Sequence, residues 1–115
     1  MPEKTIFEKI LDGEIPSESV FEDENVYAFR DVNPQAPVHV LVIPKSKLTG
    51  FADLATADLV TVGRFMQEVA RVAGKLGLEE EGYRIVFNQG KNGQQTVAYL
   101  HAHILGGRRM SWPPG

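Results

Sequence analysis

Two imidazoles one residue apart are the densest concentration of chemistry in this chain. His101 and His103 flank Ala102 in the run Tyr99-Leu100-His101-Ala102-His103-Ile104-Leu105. Successive side chains of an extended strand point to opposite faces, so these two histidines share a face, with Cα atoms roughly 6.8 Å apart. Leu100, Ala102 and Ile104 then face the other way, toward a core. Imidazole titrates near neutral pH, so such a pair can attack phosphorus or a carbonyl carbon, transfer protons or bind a metal. The bland alternative is two polar residues on a solvent-facing sheet, since burying each without a partner costs about 1–3 kcal/mol. The apolar residues around the pair weigh against that reading. So does the third histidine, His39, inside the apolar run Pro37-Val38-His39-Val40. Alone, His39 reads as a core residue. Beside the His101 strand, it would hydrogen-bond a catalytic imidazole and set its tautomer.

Other candidates are weaker by composition. The loop Gln89 to Thr96 offers amides at Gly90 and Gly93, together with Lys91 and the Thr96 hydroxyl, to a phosphate, although it also reads as an ordinary turn. Asp31 is either a turn residue before Pro34 or an acceptor for a sugar hydroxyl. Phe7, Ile10, Val32 and Leu41 are first of all core residues. Three histidines can also make an open zinc site, but no carboxylate or cysteine lies near His101 or His103 in sequence.

The elements that must carry these residues are legible as a pattern. Thr5-Ile6-Phe7-Glu8 fits a capping box that starts a short helix, with Phe7, Ile10 and Leu11 on one side, ending at Gly13 or before Pro16. Ser19–Phe21 and Val26–Phe29 read as strands. Asp31 to Pro37, with two prolines, is a stiff loop. Val38–Ile43 is apolar on both faces apart from His39, as a central strand would be. A long helix is expected from about Thr56 to Leu76, with Leu59, Val62, Met66, Val69, Ala73 and Leu76 forming one apolar stripe. Tyr83–Asn88 and Val97–Leu105 complete the strands. The order predicts an α+β domain on a mainly antiparallel sheet of about five strands, with one short and one long helix. The long helix covers one face, and the histidines lie on the other.

With 115 residues the chain reads as one domain, residues 1–115. A net charge of −3 provides no general basic field, which argues against duplex nucleic acid. No apolar run approaches a membrane span, and Met1-Pro2-Glu3-Lys4 does not resemble a secretory signal. A cytoplasmic location is the expectation. The absence of cysteine excludes disulfides and thiol catalysis. The lone Trp112 sits in a Pro-rich tail, Trp112-Pro113-Pro114-Gly115, and is expected to dock, with a partner subunit as one place to do so.

His101-Ala102-His103-Ile104-Leu105-Gly106-Gly107-Arg108 resembles the end of the histidine-triad motif, in which histidines alternate with apolar residues. Thr5-Ile6-Phe7-Glu8-Lys9-Ile10, Ile15-Pro16, Phe21-Glu22-Asp23, Pro34-Gln35-Ala36-Pro37, Val42-Ile43-Pro44-Lys45 and the tail to Gly115 extend the likeness over nearly the whole chain. Together they resemble the Hint branch, the histidine-triad nucleotide-binding proteins. That resemblance implies a homodimer whose sheets join across the interface. It also implies binding of a purine nucleoside monophosphate and metal-independent hydrolysis of nucleoside phosphoramidates, with no cofactor. His101 falls on the nucleophile that carries a nucleotidyl intermediate, and His103 on the donor to phosphate or leaving group. His39 falls on the supporting histidine and Asp31 on the ribose acid. Phe7, Ile10, Ile15, Phe29, Val32 and Leu41 fall on the base and ribose pocket, while Asn88, Thr96 and Val97 fall near the phosphate. Tyr99 stands where the motif's first histidine is expected. A phenol titrating near 10 does not cycle protons at pH 7, so a nucleotide-binding module with little or no catalysis is a second reading. A dinucleoside polyphosphate hydrolase is a third.

Overall fold

The computed structural model describes residues 3–115, so Met1 and Pro2, the start of the segment read as unlike a signal, lie outside the described residues. Among the described residues, no helix is long and apolar enough to cross a membrane. Helix α1, Ile6–Leu11, opens on the expected capping box. Thr5 Oγ1 accepts from the Glu8 amide at 3.2 Å, and Glu8 Oε1 accepts from the Thr5 amide at 2.9 Å. A helix this short does not hold itself. Phe7 anchors it, buried edge-on against the rings of Phe29 and Tyr99.

Five strands follow: β1 Ser19–Glu22, β2 Val26–Arg30, β3 Val38–Pro44, β4 Tyr83–Val86 and β5 Ala102–Gly106. They form one antiparallel sheet in the order β1-β2-β3-β5-β4. The α+β architecture expected from the sequence is the one observed. β3 is flanked on both sides, which accounts for its doubly apolar composition. Its even-numbered Val40 and Val42 join Ala102 and Ile104 under the long helix α2, Leu59–Lys75, against Phe65, Val69, Val72 and Ala73. Its odd-numbered Leu41 and Ile43 face the other way, with Phe7, Phe29 and Tyr99.

Several boundaries differ from expectation. α2 begins at Leu59, because Asp58 caps it through the Thr61 amide at 3.0 Å and a 3₁₀ helix, Phe51–Ala55, precedes it. Its buried face is Phe65, Glu68, Val69, Val72 and Ala73, rotated from the expected stripe. Leu59 and Met66 are exposed instead, at 87% and 40%. The strand read as Tyr83–Asn88 stops at Val86. The strand read as Val97–Leu105 starts only at Ala102. Before it the Tyr99 amide turns back to the Val97 carbonyl at 2.8 Å, and the Leu100 amide reaches the Leu48 carbonyl at 2.7 Å. Those bonds take the amides out of the ladder, so His101 sits at the entrance to β5. The expected division of faces still holds, since Leu100, Ala102 and Ile104 are in the α2 core.

Candidate active site

The register of β3 on β5 creates the central contact. His39 is opposite Leu105 and Leu41 is opposite His103, so the two histidines are diagonal neighbours on one face. Their rings meet, with His39 Nε2 2.9 Å from His103 Nδ1. Bonding to backbone groups fixes the tautomers. The Gln35 amide donates to His39 Nδ1 at 3.0 Å, so neutral His39 carries its proton on Nε2 and donates to His103 Nδ1. His103 then carries its proton on Nε2, an atom that is buried and has no hydrogen-bond partner among the described residues. His101 Nδ1 lies 2.7 Å from the Tyr99 carbonyl and must donate to it, which leaves the Nε2 lone pair of His101 unprotonated. The relay thus presents one nucleophilic nitrogen and one unpartnered donor, on rings 4.9 Å apart.

Burial keeps the relay neutral. It pushes His103 down to about 4, helped by the proximity of His101 and His39 and opposed by Asp31. It lowers His101 as well, against the Tyr99 carbonyl and Asp31, and lowers His39 against Asp31. Asp31 Oδ2 stands 3.4 Å from His39 Nε2, while its Oδ1 accepts from the Asn33 amide at 2.8 Å.

His101 and His103 line a cavity of about 270 Å³. Its wall brings together most of the candidates: Phe7 and Ile10 from α1, Ile15 after it, Phe29 from β2 and Leu41 from β3. Asp31, Val32, Thr96 and Val97 complete the rim, with Val32 almost fully exposed. Ile6, Pro16, Ser17 and Arg30 also line it. Nothing in their spacing marked them, because Ile6 arrives at the start of α1, Pro16 and Ser17 through the turn after it, and Arg30 at the end of β2. A larger hollow of about 600 Å³, between Glu81–Gly82 and Gly107–Arg109, contains no histidine.

Four candidates lie elsewhere. His39 stands behind His103 and acts through it. Asn88 is half-buried, past the end of β4, and is not part of the cavity wall. Tyr99 is in the core on the histidine side, and its hydroxyl donates to the Pro44 carbonyl. Trp112 is 81% exposed in the single chain, its ring 5.9 Å from the Arg84 guanidinium. The loop from Gln89 to Thr96 is braced internally: the Gly90 amide donates to Gln95 Oε1 at 3.0 Å and is not free for a phosphate. Of that loop only Thr96 reaches the cavity.

One antiparallel sheet backed by a long helix carries a buried histidine relay that opens on a largely apolar cavity. A HIT domain model matches residues 12–110. The chain is 52% identical to a 14 kDa zinc-binding protein of Zea mays, over 96% of this chain and 88% of the maize protein. It is 50% identical to the Adenylylsulfatase HINT1 of Arabidopsis thaliana, over 96% of this chain and 76% of that protein. A HIT family hydrolase from Legionella pneumophila superposes with a TM-score of 0.91 at 46% identity, covering 97% of this chain and all (100%) of that one. The chain belongs to the HIT family, in its Hint-like branch, and hydrolysis is its family-level chemistry.

The maize relative's name raises the question of zinc. Donor atoms of Asp31, His39 and His103 lie within 4.8 Å of one another. However, His39 Nε2 and His103 Nδ1 face each other at 2.9 Å, a hydrogen-bond separation. Two nitrogens held by one tetrahedral zinc stand about 3.3 Å apart. The arrangement fits a proton-linked relay, not a formed zinc site.

Proposed function

We propose that this protein hydrolyses purine nucleoside phosphoramidates, breaking the P–N bond between an adenylate and an amine. The observation that carries the reading is the fixed tautomer of His101, whose Nε2 lone pair is free at neutral pH beside an apolar cavity. His101 Nε2 attacks phosphorus, and the P–N bond breaks as the N–P bond forms. The amine leaves with the proton of His103 Nε2–H, and water attacking the nucleotidyl-histidine returns a proton to that nitrogen as the bond from phosphorus to His101 breaks. In that intermediate the ring carries positive charge, which the Tyr99 carbonyl stabilises through Nδ1–H. His103 Nε2–H donates to a phosphoryl oxygen or the leaving nitrogen, and Asp31 accepts from the ribose. No step needs a metal or cofactor.

The Arabidopsis relative's name supports a related substrate, in which sulfate replaces the amine as leaving group on the same adenylyl centre. The binding-module reading has less support, because the Tyr99 hydroxyl is tied to Pro44 and the ring lies outside the cavity wall. A homodimer is proposed as well. Leu59 and Trp112 are 87% and 81% exposed, and β4 is an edge strand of the sheet.

Adenosine phosphoramidate, adenylyl sulfate and diadenosine polyphosphate, each offered to wild type and His101→Ala, test the reading. Turnover of the phosphoramidate by wild type alone, with adenosine monophosphate still bound by the variant, is expected. Equal turnover by the variant overturns it. Preference for the polyphosphate would instead favour the sister activity.

A further inference from the structure

We infer that Arg108, on the surface just beyond β5, is a positioning residue for the histidine relay: it holds the Gln35 backbone whose amide fixes the proton on His39, and thereby the proton on His103. The inference rests on the proposed function only where turnover is concerned.

The links are all hydrogen bonds. Arg108 Nη2 donates to the Gln35 carbonyl at 3.0 Å, and Arg108 Nη1 donates to the Arg109 carbonyl at 3.2 Å. Gln35 Nε2 donates to the Asn33 carbonyl at 3.0 Å. The Gln35 amide then donates to His39 Nδ1 at 3.0 Å, and His39 donates to His103 Nδ1 at 2.9 Å. The turn that carries Arg108 is itself seated on this loop. Gly107 has φ +87°, and a Cβ built there would stand 2.8 Å from Pro37 Cβ, so the backbone lies directly against Pro37. Gly107 and Arg108 therefore clamp the Pro34–Pro37 loop from the far end of the histidine strand.

The consequence is a choice of tautomer. Without the Gln35 N–H, His39 is free to place its proton on Nδ1, and its Nε2 becomes an acceptor. His103 must then move its proton to Nδ1, and its Nε2 turns from a donor into a lone pair. A phosphoryl oxygen would meet that lone pair with repulsion. The other groups facing the pair are Asp31 and His101. Asp31, 3.4 Å from His39 Nε2, also favours a proton there. Once Asp31 accepts a sugar hydroxyl, the Gln35 amide is the determinant that remains.

Histidine ¹⁵N spectra, which distinguish the two nitrogens of each ring, decide the matter without reference to turnover. They are recorded for wild type, Arg108→Met and Arg108→Lys, free and with adenosine monophosphate. Wild type is expected to carry the proton on Nε2 of both His39 and His103. Arg108→Met should mix the tautomers of both, more strongly with nucleotide present, and Arg108→Lys should recover most of the wild-type pattern. Where phosphoramidate is turned over, kcat of Arg108→Met should drop about 10-fold with little change in KM, as for partners that orient an imidazole. Unchanged His39 and His103 spectra in Arg108→Met, free and bound, overturn the inference. So does a wild-type His39 protonated on Nδ1. A wild type that turns nothing over, yet shows the tautomers and their shift, would count against the enzyme reading alone.

Discussion

The hydroxyl of Tyr99 donates to the Pro44 carbonyl within the cluster of Phe7, Phe29, Leu41 and Ile43. Burial, aided by the nearby Glu8 carboxylate, pushes its pKa up to about 12, so the phenol stays protonated at neutral pH. Tyr99→Phe strands that carbonyl and is expected to cost about 1–2 kcal/mol, read as a lower denaturant midpoint, while phosphoramidate turnover stays near wild type. A loss of turnover comparable to that of His101→Ala would return Tyr99 to the chemistry. The relay histidines make a second prediction. All three are lowered in the folded state, chiefly by burial, so below about pH 6.5 the unfolded chain takes up protons that the native one does not. Stability is therefore lost as pH falls from 7, by about 2 kcal/mol at pH 5 for His103 alone. Thermal melts of wild type and His103→Gln across that range should show a shallower acid slope in the variant. The meeting of His101 and His103 at one cavity was legible from spacing, because alternation puts them on one face. The tautomers were not, since the groups that fix them are the Gln35 amide and the Tyr99 carbonyl, backbone groups that the side-chain pattern does not mark.

At the scale of elements, the 106–108 turn and α2 carry the sharpest tests. Gly107→Ala adds a Cβ against Pro37 at a left-handed φ, and is expected to cost about 1–3 kcal/mol and to loosen the loop that touches His39. A melting temperature equal to wild type would show that the clamp is slack. On α2, Glu68 is buried in the apolar face, and the neighbouring Asp23 carboxyl together with burial raises its pKa against the Arg71 guanidinium. A raised carboxyl destabilises the fold as pH climbs past the ordinary carboxylate range. Glu68→Gln should therefore gain stability relative to wild type at pH 7 more than at pH 4, and the reverse order would refute the pairing. The helix stripe was misplaced in the sequence for the same reason. Periodicity recruited Leu59 and Met66 as core residues, and it had no means of choosing a glutamate that Asp23 and Arg71 partner. The central place of β3 was better written, since a strand apolar on both faces belongs in the interior of the sheet.

For the whole molecule, the apolar residues left exposed along α2 and in the tail predict self-association. Sedimentation should report a mass of two chains for wild type and a shift toward one for Leu59→Lys. A wild-type monomer at micromolar concentration would remove that proposal. The order of strands has one more consequence. β5 comes after every other strand in the chain, yet lies between β3 and β4. Val42 finds its partner at Ala102, so the pairing closes a long loop and lags behind the local β1–β2–β3 hairpins. Until it forms, the flank of β3 that will receive it is an unpaired apolar edge, able to recruit any passing strand. The youngest chains on the ribosome carry that edge bare, which makes the interval before the histidine segment emerges the period of greatest exposure to misassembly.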